Sequence, residues 1–211
     1  MTRPQTPPEA VLFDIGNVLV EWNPERVYDR LIGPEARLRL FAEIDLEGMN
    51  LSVDRGAPMR ASVEALAARH PARSAEIRIW ADRWADMFGP VIDRSVRLLW
   101  ALKARGVPVW ALSNFGRETF RLAEAMHPFL GAFDRRFVSA ELGVLKPEPE
   151  IYAAVEAATG LAPAALLFAD DRAENVAAAA ARGWRVHHFT GPEGWADRLV
   201  AEGLLTEAEA A

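Results

Sequence analysis

The chain has 211 residues, 51% hydrophobic and 26% charged, and is long enough for one sizeable globular domain with an inserted subdomain. Its formal net charge of −6 argues against nucleic acid or an anionic membrane surface as a partner, and the absence of cysteine excludes disulfides, thiolate metal sites and cysteine nucleophiles. Prolines among the first ten residues do not fit a signal peptide and no stretch reaches membrane-span length, so we expect a cytoplasmic protein.

The first predicted element is a short apolar strand that runs from Ala10 to Phe13 and ends on an acid, Asp14. Continuous apolar strands are typical of parallel sheets covered on both faces, and sites in open α/β sheets lie outside the carboxyl ends of such strands. Asp14 is therefore our candidate nucleophile. The alternative is an acid that merely opens the turn at Gly16-Asn17.

The next stretch, to about residue 88, predicts helices and no strand. The expected helices are 24–32, 34–46, 58–70 and 74–88, with turn signals between them that include the stretch from Gly48 to Gly56. Trp80, Trp84 and Phe88 recur every four residues, a stripe typical of packing. We therefore predict a helical cap, residues 20–89, inserted into an α/β core domain of residues 1–19 and 90–211.

The remainder alternates between helices and strands. Helices are expected at 93–105, 117–126, 148–159 and 172–182, and strands at 107–112, 136–138, 164–169 and 184–189. This alternation predicts a doubly wound, Rossmann-like parallel sheet. His187 and His188 are neighbours on the last strand, so their side chains point to opposite faces and cannot share one metal ion. We interpret both as structural.

Polar side chains follow three further strand or loop segments. Ser113 and Asn114 precede a helix, where a hydroxyl and an amide can bind an anion or cap the helix. Lys146 is either a solvated surface charge or a point charge for phosphate. Asp170 and Asp171 end an apolar strand, and adjacent acids repel unless a cation or donors compensate them. A Mg²⁺ site is the favoured explanation, and a helix-capping acid is the alternative.

These residues occur within the stretches FDIGNVL, LSN, LKPEPEIY and FADDRAENV, in that order. Together the stretches resemble the haloacid dehalogenase superfamily over nearly the whole chain, and the helical insertion resembles the family's smaller type of cap. The likeness is to phosphatases with a DxGNVL opening. It implies a hydrolase, a Mg²⁺-dependent phosphatase of a small phosphorylated metabolite such as a sugar phosphate, with a phosphoaspartyl intermediate on Asp14.

The resemblance also implies roles for individual residues. Asp14 and Lys146 would be catalytic, and phosphoryl oxygens would be bound by Ser113, Asn114 and Lys146. Mg²⁺ would be held by Asp14, the backbone carbonyl of Gly16, Asp171 and Asp170, the last directly or through water. The oligomeric state is not predicted.

Gly16 departs from the family pattern, because family phosphatases usually carry a second Asp there as general acid and base. Such a group typically raises the reaction rate ~10²–10⁴-fold. Glu21 or a substrate hydroxyl could donate the proton instead. The leaving groups of sugar 1-phosphates, acyl phosphates and aryl phosphates are more acidic than a primary alcohol and depend less on a proton donor. Gly16 therefore predicts a preference for these esters over primary alkyl phosphates.

Two other functions compete with this reading. A 2-haloacid dehalogenase would use Asp14 on carbon and expel halide, a leaving group that needs no proton. That reaction fits Gly16, but the Asp170-Asp171 pair would then repel a carboxylate substrate without a metal to offset it. A non-catalytic phosphate- or protein-binding relative is the second alternative, and turnover of any phosphate ester would exclude it.

Overall fold

The computed structural model describes residues 6–211. Its strands are β1 (Ala10–Phe13), β2 (Val20–Trp22), β3 (Phe88–Val91), β4 (Val109–Ser113), β5 (Arg135–Val138), β6 (Leu166–Asp170) and β7 (Arg185–His188). Its helices are α1 (Pro24–Ile32), α2 (Pro34–Glu43), α3 (Leu46–Asp54), α4 (Met59–Arg69), α5 (Ser74–Asp82), α6 (Trp84–Met87), α7 (Asp93–Ala104), α8 (Arg117–Met126), α9 (Ser139–Leu142), α10 (Pro149–Thr159), α11 (Ala173–Ala181), α12 (Pro192–Ala201) and α13 (Glu207–Ala210). Residues 1–5, the start of the predicted core domain, lie outside the described residues.

Five strands form one parallel sheet in the order β5-β4-β1-β6-β7. The chain adds β4 and β5 on one side of β1 and then β6 and β7 on the other, so the strand order reverses at β1. Such a reversal defines a doubly wound sheet, and ligands bind in the crevice that it leaves at the carboxyl ends of the strands. The predicted α/β fold is confirmed.

The central strand β1 is buried on both faces. Val11 and Phe13 pack in one apolar cluster with α7 and α12, whereas Ala10 and Leu12 pack in another with α10 and α11. Helices on both sides explain why β1 is a continuous apolar run instead of an alternating one. No helix among residues 6–211 is long and apolar enough to cross a membrane.

The helical insertion, residues 20–89, contains α1 to α6 and packs largely around an apolar cluster of its own. The short strands β2 and β3, which the sequence did not predict, pair antiparallel at its base. We propose that this insertion is a cap on an α/β core of residues 1–19 and 90–211, as the sequence indicates.

Within the insertion, the predicted turn from Gly48 to Gly56 is wrong, because α3 runs through Leu46–Asp54. The carboxylate of Asp45 accepts a hydrogen bond from the Gly48 backbone N–H at 2.8 Å and caps the helix. A Cβ at Gly48 would lie 2.2 Å from this carboxylate, so glycine permits the cap's close approach. The predicted helix 34–46 ends at Glu43, and 74–88 is interrupted after Asp82.

Candidate active site

Asp14 follows β1 at the carboxyl edge of the sheet, and its Oδ1 atom is held by three donors. The Ser113 hydroxyl donates at 2.7 Å, the Ile15 backbone N–H donates at 2.7 Å, and the Lys146 Nζ lies at 3.0 Å. No donor among residues 6–211 bonds to Oδ2. The structure therefore brings three predicted site residues together and leaves one carboxylate oxygen of Asp14 available.

Lys146 is a buried cation, not the solvated surface charge that was the alternative reading. Its side chain is 1% exposed, and its Nζ lies 2.6 Å from an oxygen of Asp170 and 2.9 Å from the carbonyl oxygen of Leu112. Burial alone would lower the pKa of Lys146, but the carboxylates of Asp14 and Asp170 outweigh it and raise this pKa above its usual value. Lys146 is therefore a permanent positive charge beside Asp14.

The backbone of Lys146 is fixed by the side chain of Asn114. The Asn114 amide donates to the Lys146 carbonyl oxygen at 2.9 Å, and its oxygen accepts from the Lys146 N–H at 2.8 Å. Neither Ser113 nor Asn114 is the cap of α8, because that position is Gly116. Asn114 thus positions Lys146, and its predicted contact with phosphate stays a prediction.

Asp170 is fully buried, and both of its carboxylate oxygens are hydrogen-bonded. Asn175 donates to both oxygens at 2.9 and 3.1 Å, and the Arg172 backbone N–H donates to Oδ1 at 2.8 Å. With Lys146 on Oδ2, these contacts occupy most of its acceptor capacity. Support of a cation through water suits Asp170 better than direct coordination. Asn175 stands out in the sequence only by its position after the acid pair.

Asp171 is oriented by Asn17, a residue to which the sequence analysis gave no role. The Asn17 amide donates to Asp171 Oδ2 at 3.1 Å, and its oxygen accepts from the Trp22 backbone N–H at 2.9 Å. Asn17 has φ of 56°, a left-handed conformation that asparagine tolerates better than most residues. Burial raises the pKa of Asp171 despite the hydrogen bond from Asn17.

The donor set at this edge fits a hard divalent cation. Oxygens of Asp14, Asp170 and Asp171 all lie within 4.8 Å of one another, and oxygens on opposite sides of a bound Mg²⁺ are about 4 Å apart. The pKa of Asp14 is raised to about 7, because burial and the charges of Asp170 and Asp171, which raise it, outweigh Lys146 and the Ser113 hydrogen bond, which lower it. Three carboxylates against one lysine leave an excess of negative charge, which a cation would offset.

A cavity of about 740 Å³ lies between this edge of the sheet and the insertion. Gly16, Asn114 and Asp171 line its floor. Six aromatic side chains contribute to its apolar wall: Trp22, Phe41, Trp80, Trp84, Phe88 and Phe115. Trp84 and Phe88 also stack at 5.4 Å between ring centroids, so the predicted packing stripe both packs and lines the cavity. A molecule in the cavity would contact a polar floor and a largely aromatic wall.

The family model for haloacid dehalogenase-like hydrolases matches residues 8–183. The chain belongs to this family. It is 29% identical over 188 residues to the sesquiterpene phosphatase astK of Aspergillus oryzae (86% of this chain, 90% of the relative). It is also 29% identical over 208 residues to the enolase-phosphatase E1 of Acidiphilium cryptum (89% and 87%).

Solved structures agree in fold. The HAD family enzyme BT-2542 of Bacteroides thetaiotaomicron has a TM-score of 0.74 at 22% identity, covering 92% of this chain and 99% of that one. Its complex with magnesium and inorganic phosphate has a TM-score of 0.68 at 22% identity, with 87% and 95% covered. The L-2-haloacid dehalogenase of Xanthobacter autotrophicus also matches, with a TM-score of 0.62 at 21% identity over 96% and 86%. Fold alone therefore does not choose between the reactions of haloacid dehalogenase-like hydrolases.

For this haloacid dehalogenase-like hydrolase, Gly16 is a position where a side chain would fit. A Cβ added there would meet only the Trp22 Cβ, at an ordinary 3.7 Å, and no left-handed φ requires glycine. Glu21, one expected substitute donor, is 44% exposed, pairs with Arg26 at 2.8 Å and is not among the described residues that line the cavity. Four acids of the insertion do line it, Glu25, Asp45, Glu47 and Asp54, and of these only Asp54 is not solvent-exposed.

Proposed function

We propose that this hydrolase is a Mg²⁺-dependent phosphatase that hydrolyses a small phosphorylated metabolite through a phosphoaspartyl intermediate on Asp14. The observation that carries the proposal is the environment of Asp14, which has Lys146 and Ser113 on one oxygen and two further acids close by. Two relatives that are phosphatases by name support it. A sugar phosphate is one candidate substrate.

In the proposed reaction, a carboxylate oxygen of Asp14 attacks phosphorus as the bond to the leaving oxygen breaks. Lys146 and Ser113 sit beside the attacking carboxylate, where a cation and a hydroxyl donor can stabilise charge on the phosphoryl oxygens. Asp14, the Gly16 carbonyl and Asp171 would hold Mg²⁺, with Asp170 supporting it through water. When bound, the cation supplies positive charge to the same oxygens.

The proposed cap, residues 20–89, would exclude water while the substrate reacts and admit it for hydrolysis of the intermediate. Most of the residues that it contributes to the cavity are apolar or aromatic, and four acids line the cavity beside them. The part of the substrate that faces the insertion is therefore expected to be held by shape and by contact with rings.

Chelation should abolish phosphatase activity, and added Mg²⁺ should restore it. The measurement is phosphate release from a panel of phosphorylated metabolites, including sugar 1-phosphates, an aryl phosphate and a primary alkyl phosphate, with and without chelator. Full phosphate release in chelator would contradict the proposed Mg²⁺ dependence. Halide release from a 2-haloacid, without phosphate release from any ester, would favour the dehalogenase. Binding of phosphate without turnover of any ester would favour the non-catalytic relative.

The dehalogenase remains the weaker candidate for an electrostatic reason. Lys146 is already shared between Asp14 and Asp170, so it does not also neutralise Asp171. A carboxylate substrate would enter a site that already holds an excess of negative charge, whereas a phosphate ester enters together with a divalent cation.

Asn17→Gly should weaken Mg²⁺ binding by about 10–100-fold, because Asn17 orients the proposed ligand Asp171. Glycine accepts the left-handed backbone at this position, so the change removes the amide without adding strain. The measurement is the Mg²⁺ concentration for half-maximal activity, together with calorimetric titration of Mg²⁺. Activity at saturating Mg²⁺ serves as the control and should recover. An unchanged Mg²⁺ affinity would remove Asn17 from the metal site.

A further inference from the structure

The proposed phosphatase reaction needs a proton donor that Gly16 cannot supply. In an in-line displacement the attacking and leaving oxygens lie on opposite sides of phosphorus. Asp14 attacks from the sheet edge, so the leaving oxygen faces the helical insertion across the cavity. A group that protonates it must therefore come from the insertion.

Asp54, the last residue of α3, is an acid of the insertion that lines the cavity with Asp14. Its side chain is partly buried and makes no ion pair with any residue of the described chain. Asn50, one turn earlier on the same helix, donates from its amide to Asp54 Oδ2 at 2.9 Å. An unpaired carboxyl held by a neutral donor has a defined position and no cation to keep it ionised.

Contacts on both sides fix the side chain and the backbone of Asp54. The Trp80 Nε1–H donates to the Asn50 oxygen at 3.2 Å, which directs the Asn50 amide towards Asp54. On the core side, the hydroxyl of Ser139 donates to the backbone carbonyl of Asp54 at 2.6 Å. The end of α3 is thereby tied to the α/β core beside the reacting groups, and Asp54 stays at the cavity.

We propose that Asp54 protonates the leaving oxygen in place of the acid missing at Gly16, an inference that rests on the proposed function. In the first step, the Asp14 oxygen bonds to phosphorus and the phosphorus–oxygen bond to the leaving group breaks. That electron pair stays on the leaving oxygen, which takes the proton of Asp54 and departs as an alcohol. In the second step, water attacks phosphorus, its proton returns to Asp54, and the bond to Asp14 breaks to release inorganic phosphate.

The electrostatic surroundings agree with both roles. The pKa of Asp54 is raised to about 7, because burial, the largest influence, and the charge of Asp14 outweigh the Gly116 backbone N–H, which lowers it. Other charged groups nearby have partners of their own: Arg55 pairs with Glu148 at 2.5 Å, and Arg117 of α8 donates to a backbone carbonyl. An acid with a pKa close to neutral can both give and accept a proton at working pH.

The test is the dependence of rate on the leaving group. Wild-type enzyme, with Mg²⁺, should hydrolyse a primary alkyl phosphate and a series of aryl phosphates with a shallow dependence of kcat/KM on leaving-group acidity. Asp54→Asn should lose ~10²–10⁴-fold on the alkyl phosphate and little on the most acidic phenol. The descending limb of the kcat/KM pH profile near pH 7 on the alkyl phosphate should also disappear.

Two further variants separate proton donation from a structural role. Asp82→Asn removes an exposed acid of the insertion that pairs with Arg60 at 2.6 Å, and should leave the leaving-group dependence unchanged. Adding Gly16→Asp to Asp54→Asn should flatten the dependence again, because the added side chain has room. Thermal unfolding of each variant identifies any that fail to fold.

The outcomes distinguish this inference from the proposed function. An equal loss on every leaving group in Asp54→Asn, with the pH limb retained, would overturn the role of Asp54 while Asp14 still forms a phosphoaspartate. Absence of phosphate release from every ester by the wild-type enzyme would overturn both. If Asp54 acts as proposed, the preference for sugar 1-phosphates and aryl phosphates expected from Gly16 should emerge in Asp54→Asn.

Discussion

Replacing Asp14 with Asn should lower turnover by at least ~10⁴-fold, because the amide cannot attack phosphorus. The geometry favours a folded variant. All three donors on the Asp14 side chain converge on Oδ1, so the Asn oxygen can occupy that position and accept from Lys146, Ser113 and the Ile15 N–H. Rates on an aryl phosphate give the loss, and acid-quenched mass spectrometry should detect a phosphoryl adduct in wild-type enzyme only.

The same variant should be at least as stable as wild type at pH 8 without Mg²⁺. Burial raises the pKa of Asp14 to about 7, above its unfolded value, so ionised Asp14 destabilises the fold as pH rises from about 4 to 7. Asn removes this penalty, and the difference in unfolding temperature should shrink towards pH 4. Retained turnover in a variant whose mass confirms Asn would show that another group is the nucleophile.

Lys146→Met should lower activity by ~10²–10³-fold and destabilise the fold by about 3–5 kcal/mol at pH 8. The methionine roughly preserves the volume of the side chain but leaves Asp14 and Asp170 without their shared cation. Because Lys146 lowers the pKa of Asp14, its removal raises that pKa further, and the variant should regain stability as pH falls and the carboxyl takes up a proton. Urea unfolding at pH 5 and pH 8 measures the difference.

Lys103→Met is the matched control. Lys103 pairs with Asp134 at 2.6 Å and its side chain is 24% exposed, so the pair is screened by water. We expect a loss of at most about 1 kcal/mol and unchanged kcat. If Lys146→Met costs no more than Lys103→Met and keeps its activity, the buried cation is not needed by the carboxylates around it.

The residues at the carboxyl edge of the sheet could be predicted because a polar residue directly after an apolar run marks the end of a buried strand. Asp14, Ser113 and Asp171 follow such runs, and parallel strands deliver their ends to one rim whatever the details of the loops. No strand ends at Lys146, so its role could be predicted only from the stretch LKPEPEIY in which it occurs. Local turn signals also predicted the limits of α1 and α8 as the structure has them.

What the sequence could not predict depends on contacts between distant segments. The bond from Asn17 to Asp171 joins residues 154 positions apart, and Asp54 reaches the cavity only because the insertion folds back over the sheet. The turn predicted at Gly48 was wrong for a different reason. A glycine that admits a helix cap has the same local signature as one that makes a turn, and only the capping hydrogen bond from Asp45 separates the two.

The imbalance of three acids against one lysine at the carboxyl edge makes the binding of a cation and the binding of phosphate depend on each other. A phosphate dianion that reaches the metal-free enzyme meets net repulsion, whereas the same dianion meets a compensated surface once a divalent cation is bound. Cation and phosphate should therefore bind cooperatively. Thermodynamic linkage makes the effect reciprocal, so phosphate must strengthen the binding of the cation by the same factor by which the cation strengthens the binding of phosphate. If the cation is Mg²⁺, as proposed, the concentration of substrate would then decide how much of the enzyme carries it when Mg²⁺ is low.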